Sequence, residues 1–425
     1  MSLLQLTGAL QRLRIPTLLS AFLTLLNDRL SESIFLPLLP YLLAQFTSSG
    51  STLGLLSGTY ALSQFLVAPL IGALSDRFGR KPVITLCVGG SVLGMGLFAI
   101  TLSLPWQQIW PSASAAGLPL ALLFTARIID GISGGTAPTA SAVLADITPP
   151  DKRAKAFGLI GVAFGLGFAL GPGLGGVLGE MNRILPAWGA TGFAVINLLM
   201  VSLFLPETHP VEARQPLPRK RALNPISLLQ RVFANPDVRR LALAFFGFFL
   251  AFNGFTAILV LYLKSAFAWT EWMAGAAFAL VGVIAMVVQG GLIGPLVKRF
   301  GELRLTLTGL GLLTVGCLLV PLATTETSMP VIYSAVSLLA FGTGLVTPCL
   351  RALVSRRLTR DGQGAALGGL QGLQSLGSFL GATAAGISYD RLGHTSPFWI
   401  GAVILVGVGL LIAGSPRQTD VVHQT

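Results

Sequence analysis

The sequence predicts an all-α polytopic membrane protein, with twelve transmembrane helices in two pseudo-symmetric six-helix bundles. Three observations lead there. Of 425 residues, 53% are hydrophobic and only 10% charged, with a mean hydropathy of +0.77; soluble domains carry roughly 25% charge. Twelve apolar runs approach or exceed the roughly 20 residues that cross a bilayer as a helix. The chain also repeats itself at half length. The same composition excludes disorder, because apolar content is high and charge is low.

The first six runs lie near 16–44, 52–74, 82–103, 118–145, 154–178 and 187–205, and the second six near 239–263, 272–297, 304–323, 329–355, 364–387 and 396–414. Each must be helical, because lipid offers the backbone no hydrogen-bond partners. The predicted domains are 1–205, a first six-helix bundle, and 239–425, a second bundle with a short tail. Residues 206–238 read as a polar linker on the cytoplasmic side, with Glu207, Glu212, Arg214, Arg219, Lys220 and Arg221 among several prolines.

Charge placement sets the orientation. With both termini in the cytoplasm, every one of the 28 Lys and Arg falls on that side except Arg183, Lys264 and Arg391 opposite, and Arg29 and Arg127 inside runs. This is the positive-inside pattern, so the net charge of +12 calls for no nucleic acid. Met1 to Ile15 reads as a cytoplasmic lead-in to the first run. Cys87, Cys317 and Cys349 all sit in apolar runs and suggest no disulfide framework.

The repeat is explicit in two loops. Residues 71–81 read IGALSDRFGRK and residues 293–303 read IGPLVKRFGEL. Pro138, Asp151, Gly158, Gly167 and Gly171 recur as Pro348, Asp361, Gly368, Gly377 and Gly381. Two related bundles point to alternating access around a midplane site.

Charges inside runs are costly and are functional candidates by default. Asp28, Arg29 and Glu32 lie in the first run, Arg127 and Asp130 in the fourth. Asp28 stands about 12 residues into its run, roughly 18 Å along a helix, near mid-membrane. Asp28 and Glu32 share a helix face, and Arg127 and Asp130 are spaced to pair. A desolvated acid beside a movable cation can load and release a proton as geometry changes. Asp28, Glu32, Arg127 and Asp130 are therefore the proton-coupling candidates; a permanent internal ion pair is the structural alternative.

In the 72–81 loop, Gly72 allows close helix approach and Gly79 a tight turn, while Asp76 can cap a helix or pair with an Arg. In the fifth run, Gly171, Pro172, Gly175 and Gly176 give a small-residue packing face and a bend. Asn27, Gln64, Phe252, Asn253 and Gln289 are candidates to line a substrate cavity; helix-to-helix hydrogen bonds and lipid contact are the alternatives. Phe249 and Phe255 belong with Phe252 on the same run.

These motifs resemble the major facilitator superfamily. The stretch 71–84 is similar to its signature between the second and third helices. Arg127 with Gly131 resembles its fourth-helix signature, with Asp130 where Gln is common. Gly-Pro-Gly-Leu-Gly-Gly at 171–176 resembles the antiporter signature. The likeness narrows to twelve-helix drug:proton antiporters, nearest the tetracycline-exporter branch, through residues 61–64, 37–40, 151–158, 205–209, 294–296 and 361–364. It covers nearly the whole chain.

The resemblance implies that Asp28 is an essential acid and Arg127 a conserved partner. It makes Gly72, Asp76, Arg77, Gly79 and Arg80 a latch between the halves, and Gly171, Pro172, Gly175 and Gly176 the antiporter bend. The chain departs from that branch in having no acid within 82–103 or 304–323, and in having Lys298 where the first half has Asp76. Any latch should thus be asymmetric.

The expected function is proton-coupled export of small amphipathic compounds, as in drug efflux. Export of an endogenous metabolite such as a sugar or siderophore, or proton-independent facilitation, is the alternative. The expected partners are a small-molecule substrate, protons and the lipid bilayer of a cell (inner) membrane; the expected state is a monomer, without cofactor or metal. No phosphate-binding G-x-x-x-x-G-K-[ST] stretch supports an ATP-driven pump. His209, His394 and His423 lie in loops or the tail with no H-E-x-x-H, so an enzyme is not expected.

Overall fold

A computed structural model describes residues 16–109, 117–149, 153–214, 216, 224–234, 236–355, 357 and 363–414. The lead-in Met1 to Ile15, part of the linker, Asp151 and Asp361 lie outside the described residues.

The apolar runs fold as helices: α1 Thr17–Ser33, α2 Gly50–Phe78, α3 Arg80–Ser103, α4 Gly117–Ile132, α5 Arg153–Met181 and α6 Leu185–Phe204. The second set is α7 Pro236–Phe267, α8 Glu271–Val287, α9 Glu302–Leu319, α10 Ser328–Ser355, α11 Gln363–Leu392 and α12 Ser396–Ala413. Among the described residues, ten helical segments are long and apolar enough to cross a membrane. Two more helices, α1 and α11, are consistent with the expected twelve. α1 is broken after Ser33 and resumes over Leu39–Leu42, where Pro37 and Pro40 each remove a backbone donor. α11 is 30 residues long but diluted by Gly, Ser and Gln.

Two other runs are interrupted. α4 stops at Ile132 and continues as Thr136–Ile147, because Gly134 and Gly135 weaken the helix between. α8 passes through a π-helical turn at Val288–Leu292 and continues to Phe300, a form of irregularity that favours functional sites. The linker also holds a helix that the polar reading missed, Pro225–Ala234. Its Val232 is buried.

α1 through α6 pack on one another, and α7 through α12 do the same. The two bundles meet along α2 against α11 and α5 against α8. Glycines set how closely they meet. At the end carrying the α1–α2, α7–α8 and α11–α12 connections, Gly50 and Gly54 lie against Gly386 and Ala382, and Gly176 lies against Gly275. No Cβ would fit at Gly54 without displacing the Ala382 backbone. At the other end, Gly161 of α5, Gly290 and Gly291 of the π turn, and Gly368 of α11 have nothing within 4 Å of where a Cβ would stand. The seam is thus tightest at the first end; towards the other it holds as far as Gly165 against Met286 and Gly372 against Phe65, and loosens in the turn beyond.

Polar contacts seal the joined end. Asp390 of α11 accepts from Gly50 N at 2.8 Å, Ser51 N at 2.8 Å and Ser49 Oγ at 2.7 Å. It thereby places a carboxylate on the N-terminus of α2 in the other bundle, a favourable charge–dipole contact. Burial works against that charge, but hydrogen bonds from Ser51, Ser49 and Gly50 prevail and hold Asp390 below its ordinary carboxylate value. Tyr41 donates to the Trp269 carbonyl at 2.5 Å, and Lys264 donates to the Pro40 carbonyl at 2.9 Å.

Candidate functional site

The first bundle encloses a polar cavity of about 20 Å³, enough for a water molecule. It is lined by Asp28, Arg29 and Glu32 of α1, Tyr60 of α2, Ser91 of α3 and Asp130 of α4. All five charges that sequence reasoning found inside runs thus meet around or beside one space.

Their pairing is specific. Arg29 bonds Asp28 through Nε at 3.2 Å and through Nη2 at 2.5 Å, and its Nη1 pairs with Glu32. One cation therefore serves two acids, and both remain partly open, with side-chain exposures of 13% and 17%. Arg127 Nη1 pairs with Asp130 Oδ2 at 3.1 Å. That pair is deeper, at 2% and 4% exposure. The Arg127 guanidinium lies 4.6 Å from the Tyr60 ring centroid and 5.6 Å from that of Phe35. Its Nε is buried without a partner. A buried donor left free beside a water-sized cavity invites water. Ser91 lines the cavity beside Asp130, and the interruption of α4 follows three residues after that acid.

Helix α5 supports the cluster from behind. Ser33 donates to the Gly167 carbonyl at 2.8 Å. Side chains at Gly171 and Gly175 would overlap Ser33 and Ile34, and one at Gly167 would meet Arg29 Cβ. Gly176 faces α8, and the Gly275 position of α8 abuts the Pro172 carbonyl. The Gly171–Gly176 segment is therefore where α5 touches the charged helix of its own bundle and the second bundle together. Pro172 sits inside an unbroken helix.

The 72–81 turn closes on the first bundle alone. Asp76 pairs with Arg80 at 2.7 Å, and Arg80 reaches Asp146 at 3.1 Å. Arg77 packs on Phe78. Gly79 has φ +103°, which only glycine adopts readily. The close approach expected at Gly72 is absent: nothing lies within 4 Å of its Cβ position, because the seam has loosened there. Sequence reasoning gave no role to Glu207, which caps this turn. Its carboxylate accepts from Arg80 N at 2.9 Å, Lys81 N at 3.2 Å, Thr208 N at 3.0 Å and His209 N at 2.9 Å. Burial opposes its charge, but the His209, Arg80, Lys81 and Thr208 amides outweigh it and keep Glu207 below its ordinary value.

The cavity candidates divide. Gln64 sits between the bundles, donating to the Gly134 carbonyl at 3.1 Å and accepting from Ser375 of α11 at 3.2 Å. Asn27 does not face that space. Its Nδ2 turns to Met200 Sδ of α6 at 3.2 Å, since one residue from Asp28 rotates the side chain about 100° around the helix. Asn253 bonds the Phe249 carbonyl of its own helix at 3.0 Å. Phe252 stacks on Phe248 and meets Phe255 edge-on. Gln289 is exposed on the π turn.

Comparison with known proteins agrees with this architecture. The Major Facilitator Superfamily profile matches residues 21–382 and 290–422. The tetracycline resistance protein, class C, of Escherichia coli is 33% identical over 397 residues, covering 92% of this chain and 94% of that protein. The human major facilitator superfamily domain-containing protein 10 is 30% identical, covering 94% and 93%. The crystal structure of the human organic anion transporter MFSD10 superposes with a TM-score of 0.71 at 28% identity, covering 94% of this chain and all of that one. The chain belongs to the major facilitator superfamily of membrane transporters, and its relatives include the tetracycline resistance proteins.

Proposed function

We propose that the protein is a proton-coupled secondary transporter that exports small amphipathic compounds by alternating access, working as a monomer in a cell (inner) membrane with both termini cytoplasmic. The observation that carries this reading is the cluster in which Arg29 is shared by Asp28 and Glu32, one water-sized cavity away from Asp130. Three acids and two cations leave one carboxylate in excess. A proton entering the cluster neutralises that excess, and its departure restores it, so the charge in the first bundle changes with loading.

On this reading the domains are 1–205 and 239–425, joined by the 206–238 linker. The looser end faces the cytoplasm, where the positive charges gather, so the structure corresponds to a cytoplasm-open state. Closing it requires the α5–α8 and α2–α11 glycine seams to zip towards Gly161 and Gly368. The Gly171–Gly176 segment, which touches both α1 and α8, is placed to pass a change at the charged cluster to that seam.

The test uses everted membrane vesicles with an imposed inward proton gradient and a fluorescent pH probe. Addition of an amphipathic drug should dissipate the gradient when the protein is present and should fail with Asp28→Asn. Undiminished drug-dependent dissipation in that variant overturns the coupling assignment.

A further inference from the structure

We propose that Arg351 is the binding residue for an acidic group on the substrate, so that the transported compounds are amphipathic anions bearing a carboxylate or comparable oxyanion. The proposal deepens the transport reading and rests on it.

Arg351 stands near the end of the 329–355 run and is counted from sequence with the basic residues of the cytoplasmic side. The structure puts it inside α10, one turn before the Ser355 end and within the membrane-crossing segment Ser328–Val354. A charge there needs a reason. Its guanidinium reaches away from its own helix. Nη2 donates to Gln374 Oε1 of α11 at 2.7 Å, and Cζ lies 5.9 Å from the Phe245 ring centroid of α7. α10 and α11 scarcely touch elsewhere, so the side chain crosses the gap between them. Ser375, the next residue on α11, bonds Gln64 of the opposite bundle. The turn of α11 that Arg351 grips is therefore the turn that faces the other half.

Two further facts place Arg351 on the wall of the space between the bundles. It is exposed, yet its guanidinium is held between Gln374 of α11 and Phe245 of α7. It also has no carboxylate within 4.0 Å among the described residues. The contrast with Arg29 and Arg127 is sharp, since each of those has an acid of its own. Among the described residues, the first bundle balances its membrane cations with acids, whereas Arg351 of the second is held by an amide and a ring.

A guanidinium binds a carboxylate in a two-pronged geometry that an ammonium cannot copy. Its surroundings supply the rest of an amphipathic site. Phe245 flanks the cation, and Phe252 lies two turns along the same face of α7. Phe245 is itself fully buried, so the ring of a substrate would rest on the half-buried Phe252 with its attached acid towards Arg351. The excess negative charge of the first-bundle cluster acts on a bound anion through a low-dielectric interior, so loading the cluster with a proton lessens a repulsion.

The test measures equilibrium binding of three probes with one ring system to the purified full-length protein: 2-naphthoate, 2-naphthamide and 2-naphthylmethylammonium. Wild type should prefer naphthoate. R351Q should weaken naphthoate at least tenfold while leaving naphthamide unchanged, and R351K should fall between. Equal naphthoate binding by wild type and R351Q overturns the proposal. So does equal weakening of all three probes in R351Q, which would mark Arg351 as a packing residue. A wild type that favours the amide or the cation, or binds none of the three, overturns it as well. The transport reading is judged separately by the gradient assay with Asp28→Asn, so the two can fail independently.

Discussion

Arg29 stands between Asp28 and Glu32, holding both acids of α1 with one guanidinium while Arg127 serves Asp130 alone. The two pairings have different consequences for mutation. Removing the shared cation strands two acids four residues apart on one face; removing one acid leaves the cation paired.

Arg29→Gln should therefore destabilise the protein far more than Glu32→Gln. Breaking a buried pair by removing one partner costs roughly 3–5 kcal/mol, and here two acids lose their partner together. Thermal unfolding of the purified variants checks the ranking. A Glu32→Gln variant as unstable as Arg29→Gln would show that the cation is not shared in solution.

Cysteines placed along the glycine seam should report which end is looser. Gly161→Cys and Gly368→Cys should react quickly with a membrane-impermeant maleimide in everted vesicles, since nothing crowds either position. Gly54→Cys should not, because it would stand against the Ala382 backbone. Native background should be low, as Cys87, Cys317 and Cys349 are buried. Substrate that drives the transporter towards the opposite state should slow labelling at Gly161 and Gly368.

Asp390→Ala removes three bonds that tie α11 to the N-terminus of α2. Loss of a helix cap costs about 1 kcal/mol, so the joined end should open several-fold more often, read as faster labelling of a cysteine beside it, such as Ser51→Cys. The pH dependence follows from the depressed value of Asp390. The cap is fully present above the ordinary Asp value of about 3.9 and is lost only as pH falls through the lower value of the joined state. The difference in gate opening between wild type and Asp390→Ala should thus stay constant from pH 5 to 8, whatever pH does to the rest of the cycle. A difference that shrinks within that window would mean that Asp390 is not held below its ordinary value.

Glu207→Ala should loosen the 72–81 turn by about 1–2 kcal/mol, because four amides lose their acceptor. Proteolysis at Arg80 or Lys81 in everted vesicles should quicken. Glu207→Gln should be milder, since the amide oxygen still accepts.

Most of the fold was legible because lipid leaves few choices: an apolar run of the right length must be a helix. The Asp28, Arg29, Glu32 and Arg127, Asp130 sets were legible for a related reason, as charge in such a run stands out. What escaped was local direction. Asn27 and Asp28 are neighbours in sequence, yet one turns to Met200 and the other to the polar cavity. Arg351 was hidden by lying near other basic residues, which made it count with the cytoplasmic side. Glu207 was hidden because a cap is defined by amides that arrive from a distant helix. Asp390 and Ser49 are 341 residues apart, and no spacing rule joins them.

The two arginine–phenylalanine–glycine turns began as copies and have not stayed so. Both keep a glycine at positive φ, Gly79 at +103° and Gly301 at +77°, but a Cβ at Gly79 would strike the Glu207 carboxylate whereas one at Gly301 would meet nothing within 4 Å. The backbone shape is common to the two turns; the Glu207 contact is made at the first. A residue exchanged between the halves at these turns would therefore not be neutral, even where the letters agree. Gly301, at φ 77° and ψ 158°, lies where glycine is nearly the only residue tolerated, so each turn is bound to its letter by backbone shape, and at Gly79 the Glu207 carboxylate bars a side chain a second time.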